Sequence, residues 1–115
     1  MNKIILIVTA FLILVSCNSD SRQKPVKFLD EKEFANLLID IHLTDAVAEE
    51  KAKGEPKIEN LLASKGLAQV LKNHNLSRIQ FDSIFNYYVK DPEHLNGIYT
   101  RVIDDLSRKQ AELVR

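Results

Sequence analysis

The chain has 115 residues, with 16 basic side chains, 16 acidic ones and a single cysteine. That length suits one domain, and one cysteine excludes an intramolecular disulfide. Balanced charge gives no electrostatic drive toward nucleic acid, where affinity comes from neutralising phosphates, and no block of like charges marks a polybasic membrane patch.

Met1-Asn2-Lys3 is a short basic start, and Ile4 to Leu14 is an almost unbroken apolar run. A basic end, about a dozen apolar residues and small residues before a cut describe an export signal. As a helix the run reaches roughly half of a ~30 Å bilayer core, which is too short for a stable span. Leu14-Val15-Ser16-Cys17 resembles the lipobox of bacterial lipoproteins. In that family the cysteine sulfur receives a diacylglycerol, the leader is cut before it, and the new amino group is usually acylated too. Two or three acyl chains hold a protein stably where one holds it only reversibly. The resemblance implies that residues 1–16 are a cleaved signal peptide and that Cys17 is the lipidation site. The plainer alternative is an ordinary signal followed by a free thiol. Asn18 is not aspartate, and by resemblance to enterobacterial sorting rules this points to the outer membrane of a Gram-negative envelope, facing the periplasm. Ser19 to Lys27 is mostly polar and aperiodic, so residues 17–28 read as the lipidated cysteine and a flexible tether, and residues 29–115 as the folded domain.

The first helix opens at Asp30, which can cap it, with Glu33 placed to bond back. Phe34, Leu37, Leu38, Ile41 and Ala48 fall near one face. Ile39, Leu43, Ala46 and Val47 gather on the opposite side, so burial over much of the circumference is expected. Gly54-Glu55-Pro56 stops the helix. A second helix is expected from Lys57 to about Asn73, its face made by Ile58, Leu61, Leu62, Ala68 and Leu71, with Gly66 a weak point in the middle. It ends at Asn73-His74-Asn75, where asparagine can take the left-handed cap conformation and Leu76 can pack back. Ser77 and Gln80 form a capping box for a third helix that carries Phe81, Ile84, Phe85 and Tyr88 at helical spacing. Asp91-Pro92-Glu93 starts a fourth, with an acidic cap and proline at its first position. Leu95, Ile98, Tyr99, Val102, Ile103, Leu106 and Leu113 give it the cleanest apolar stripe. No strand pattern competes. The expected fold is all-α, a small bundle of three to four helices after the signal peptide and tether.

From Phe28 onward the chain resembles the bacterial lipoproteins catalogued as domain of unknown function 4296. The resemblance rests on Leu37-Leu38-Ile39-Asp40-Ile41-His42-Leu43-Thr44-Asp45-Ala46. It extends to Leu71-Lys72-Asn73-His74-Asn75-Leu76-Ser77 with Phe81-Asp82-Ser83 and Tyr87-Tyr88, and to Asp91-Pro92-Glu93-His94-Leu95 with Ile98-Tyr99 and Val102. Phe34 stands where methionine is common in the family, and Asn73-His74 where a Lys-Tyr pair is common. The resemblance implies a Gram-negative envelope lipoprotein and brings no activity with it.

Asp40, His42, Asp45 and Glu49 are the most suggestive polar group. His42, Asp45 and Glu49 share a helix face, and a histidine with two carboxylates can bind a metal or trade protons. A metal normally needs three or four converging ligands, which one helix rarely supplies. The expectation is therefore no metal, with His42 and Asp45 edging the buried face and bonding each other or a neighbouring helix. His74, at a helix end, and His94, in a first turn, have no spaced partner in the sequence. Tyr87 falls at the border of the buried stripe and is a candidate partner-binding residue. Leu71 to Tyr88 reads helix, turn, helix, but an exported neutral protein has neither the access nor the charge of a DNA reader. There is no Gly-rich phosphate loop, nucleophile elbow or His-Glu-x-x-His. The expected function is that of a membrane-anchored, non-enzymatic envelope lipoprotein without cofactor, binding another envelope protein as an adaptor or assembly accessory. Two alternatives stand beside it. One is a periplasmic chaperone-like module, since Leu76 to Leu106 distantly resembles helical chaperone segments. The other is a metal- or ligand-binding protein using His42 and Asp45.

Overall fold

The computed structural model describes Lys3 and residues 23–114. The rest of the expected signal peptide, Cys17 and the expected tether up to residue 22 lie outside the described residues. Among residues 23–114 four helices follow one another without a strand: α1 (Glu31–Ala52), α2 (Pro56–Asn73), α3 (Arg78–Val89) and α4 (Pro92–Leu113). None of the described helices is long and apolar enough to cross a membrane.

Local chemistry sets the helix ends. The Asp30 carboxylate accepts from the Glu33 amide at 2.8 Å, and the Glu33 carboxylate accepts from the Asp30 amide at 2.9 Å. Ser77 and Gln80 repeat that reciprocal arrangement at the start of α3, at 3.1 and 2.9 Å. Each box satisfies two amides that a helix N-terminus otherwise leaves open, and losing such a cap costs about 1 kcal/mol. Asp91 caps α4 by accepting from the His94 amide at 3.3 Å, with Pro92 at the first position. The turn after α1 begins one residue before the glycine: Lys53 takes a left-handed φ of 51° and Gly54 follows at 85°. Proline then starts α2 at Pro56, one position earlier than the sequence suggests.

The end of α2 is a Schellman motif. Leu76 N–H donates to the Leu71 carbonyl at 2.8 Å, Asn75 N–H donates to Lys72 at 3.0 Å, and Asn75 sits at φ 55°. Leu71 and Leu76 are both buried, so the apolar contact that accompanies this turn is present.

α1 is the hub. α2 packs along it, α4 packs across it, and α3 bridges from α4 to the end of α2. Phe34, Leu37, Ile84, Ile98 and Val102 are fully enclosed, with Leu38, Ile39, Val70, Leu71, Leu76 and Tyr88 around them. Burying a side chain of that size stabilises by about 1.5–3 kcal/mol. α1 and α3 meet through rings: Phe34 stacks nearly parallel on Tyr88 at 4.7 Å, and Phe85 approaches Phe34 edge-on at 6.4 Å.

Gly66 is where α2 packs tightly against Thr44 of α1. A methyl group built there would collide with the Thr44 side-chain methyl. The residue that looked like a weak point in the helix is the one that lets Thr44 sit against it.

Several faces differ from the sequence expectation. Of the second apolar side of α1, only Ile39 is buried, whereas Leu43, Ala46 and Val47 are exposed. Ile58, Leu61 and Ala68 on α2 are exposed as well, and Val70 is buried in their stead. On α4, Ile103 and Leu113 face outward. One cause is the short α3, which leaves part of the bundle without a neighbour. α3 has 12 residues and α1 has 22, about 18 Å against about 33 Å at the α-helical rise. A helix so short covers only part of its neighbour.

Candidate functional site

The sequence candidates on α1 separate in space. Asp40 reaches across to α2, where His74 Nε2 donates to its Oδ2 at 2.7 Å. Thr44 Oγ1 donates to the Asp40 carbonyl at 2.8 Å, so the same turn of α1 carries both this contact and the close approach to Gly66. His42, Asp45 and Glu49 are exposed. Among the described residues, the expected pairing of His42 and Asp45 with each other or with a neighbouring helix is not seen. Both point away from the core because α1 turns its buried side toward α2 and the rings of α3. Among the described residues no group of three or more His, Cys, Asp or Glu side chains is placed to hold a metal ion. The Asp40–His74 contact is a carboxylate and an imidazole joining two helices. No hydroxyl, thiol or third titratable group is bonded to it among the described contacts.

Tyr87 and the residues just before α1 do come together. Phe28, which the sequence placed at the end of the tether, lies edge-on to Tyr87 at 5.1 Å and stacks against Tyr88 at 5.9 Å. Tyr87 meets Tyr88 edge-on at 5.3 Å and is half-buried. The Tyr88 hydroxyl donates to the Leu29 carbonyl at 2.7 Å. Burial of that hydroxyl, with the nearby carboxylates Glu31, Asp30 and Glu33 and the Tyr87 phenol adding to it, pushes the Tyr88 pKa up to about 12. Such a phenol stays protonated and serves as a donor.

Beside this clasp is a cavity of about 230 Å³ lined by Lys24, Phe28, Asp30, Glu31, Tyr87, Tyr88, Asp91 and His94. Lys24 holds its ammonium 4.8 Å above the Phe28 ring, a cation–π contact. His94 pairs with Asp91 within its own turn and comes within 3.6 Å of Glu31 at the start of α1. The histidine that had no spaced partner in the sequence thus joins the N-termini of α1 and α4. Nothing in the sequence signals the Glu31 contact, because the partners are far apart in the chain and on different helices.

The residues that meet in space are therefore the Asp40–His74 bridge, the aromatic clasp and the Glu31–His94–Asp91 group. All three fasten helices or the leading segment together. Residues 25–112 match the family model described as Domain of unknown function (DUF4296). Its first residue falls within the leading segment that packs on α3, ahead of the first helix. No curated protein and no solved structure matches the chain.

Proposed function

The chain belongs to the family described as Domain of unknown function (DUF4296), and we propose that it is a lipid-anchored envelope protein whose helical body binds another protein without catalysing a reaction. Cys17, behind its apolar leader and Leu14-Val15-Ser16, supports the anchor. One observation carries the binding role. The α1–α2 hairpin keeps large aliphatic side chains in water: Leu43 and Val47, one turn apart on α1, are 40% and 48% exposed, and Ile58 and Leu61 on α2 are 42% and 55% exposed. Scattered single apolar residues are normal on a surface, and two such pairs on adjoining helices support the reading of an interaction face. The non-catalytic reading draws support from the candidate residues, since His42 and Asp45 are exposed on α1 and the Asp40–His74 and Glu31–His94 contacts join helices.

A photo-crosslinking residue placed at Val47 or Leu61 in living cells should yield one defined adduct by mass spectrometry. The same residue at Lys109, on the far end of α4, should not. Absence of any adduct from either hairpin position removes the support for this reading. Mass measurement of the N-terminal peptide tests the anchor separately: it should begin at Cys17 and carry acyl groups.

A further inference from the structure

The leading segment and α3 enclose a hollow of about 580 Å³ lined by Gln23, Lys24, Pro25, Val26, Lys27, Ile79, Gln80, Ser83, Asn86, Tyr87 and Lys90. Three of these residues are cations and none is a carboxylate, in a chain with as many acidic as basic side chains. Val26 is fully exposed and Ile79 nearly so, which places two aliphatic tips among the lysines. A neighbouring carboxylate on α3, Asp82, is already paired with Arg78 at 3.1 Å. Asp30, Glu31 and Asp91 line the adjoining cavity, which Lys24 and Tyr87 also border. The aromatic clasp at Phe28 holds Lys24 and Lys27 against the domain, so the lysines of the segment and Lys90 of α3 share one side.

Only six residues separate Cys17 from Lys24, and a fully extended chain spans at most about 3.6 Å per residue, so the reach is roughly 25 Å. We infer that the face carrying Lys24, Lys27 and Lys90, with Val26 and Ile79 among them, docks on an anionic phospholipid surface and so orients the domain. This inference rests on the lipid anchor at Cys17 and adds which side of the domain meets the bilayer. The anchor supplies proximity, the lysines supply attraction to anionic headgroups within a Debye length, and the two aliphatic tips suit the interface.

The test uses the full protein as cells process it, extracted in mild detergent and reconstituted into vesicles of phosphatidylcholine alone or mixed with phosphatidylglycerol. Lysines are acylated by a water-soluble reagent and counted by mass spectrometry. Lys24, Lys27 and Lys90 should react about threefold or more slowly on the mixed vesicles, at a gain of roughly fivefold in membrane affinity per lysine. Lys57 and Lys65 on α2 should react alike on both, and high salt should restore the three. Equal reactivity of Lys24, Lys27 and Lys90 on the two vesicle types overturns the inference. Flotation with the phosphatidylcholine vesicles reports the anchor by itself. A protein that floats there yet shows no selective protection refutes the docking face and leaves the anchor. One that floats only with mixed vesicles, its three lysines protected, refutes the anchor and keeps the face.

Discussion

The Tyr88 hydroxyl donates to the Leu29 carbonyl at 2.7 Å across 59 positions of sequence. That bond ties α3 to the residue two positions before α1, and it sits under the Phe28 and Phe34 rings that stack on Tyr88. Its proton is held more tightly in the folded protein, with a pKa pushed from 10.0 up to about 12. Because the folded value is the higher one, the contribution is complete below about pH 10 and is lost as pH rises toward 12. A two-unit shift corresponds to about 2–3 kcal/mol of stability across that window. Urea denaturation from about pH 8 to about pH 12 should show this loss in the native protein. Tyr88→Phe should be less stable by about 1 kcal/mol at neutral pH and should lack that part of the alkaline slope. An unchanged slope in Tyr88→Phe would assign it to the lysines instead.

Replacing glycine with alanine inside a helix ordinarily stabilises by up to about 1 kcal/mol. At Gly66 the sign should reverse, because the new methyl would meet the Thr44 Cγ2 atom. Gly66→Ala should cost about 1–3 kcal/mol by overpacking. Thr44→Ser removes the offending methyl and keeps the hydroxyl that bonds the Asp40 carbonyl. In that background Gly66→Ala should become neutral or stabilising in the same denaturation assay. Equal cost in both backgrounds would show that the helices do not approach as described.

The Asp40–His74 contact joins α1 to the end of α2 at 2.7 Å with both side chains partly shielded from water. Asp40→Ala and His74→Ala should each lower stability by about 1 kcal/mol. The double substitution should cost less than the two together, with a coupling of about 0.5–1 kcal/mol. His42→Ala and Asp45→Ala, both on exposed positions, should fall within about 0.5 kcal/mol of the native protein. Strict additivity of the Asp40 and His74 effects would mean that the bridge contributes nothing in solution.

Asn75 holds the left-handed position of the turn between α2 and α3 at φ 55°. Asn75→Gly should be tolerated or slightly stabilising in thermal unfolding, since glycine adopts that conformation freely. Asn75→Val should lower stability by about 1–2 kcal/mol, because a branched side chain collides with its own backbone there. If valine proves harmless, the Schellman turn is not what joins these helices.

The residues whose partners lie within one turn were legible in the sequence. Asp30 with Glu33, Ser77 with Gln80 and the left-handed Asn75 were all readable because each feature is written in four consecutive positions or fewer. Helical spacing also gave the stripe of Phe81, Ile84, Phe85 and Tyr88. It did not give the exposure of Leu43, Val47 and Ile103, because periodicity identifies an apolar side but not how far a neighbouring helix extends over it. The contacts between distant segments were invisible. Glu31 with His94 and Asp40 with His74 are brought together only by the packing of helices, and the lysines at 24 and 27 meet Lys90 only because Phe28 seats the leading segment on α3. The same holds for Phe28, whose polar neighbours made it look like tether while its ring packs on two tyrosines. For the candidate site, the sequence singled out Asp40, His42, Asp45 and Tyr87 as binding candidates; the fold sets Asp40 against His74 and Tyr87 against Phe28 and Tyr88, and leaves His42 and Asp45 exposed rather than edging the core.

The clasp at Phe28 and Leu29 also decides where mechanical load enters the protein. Tension applied upstream of Gln23 must first unseat the Phe28 ring from Tyr87 and Tyr88 and then break the hydroxyl bond to Leu29. Until those yield, part of the pull passes to α3 ahead of the capping box at Asp30 and Glu33. Jostling at the front end is thereby damped before it can unwind the first helix.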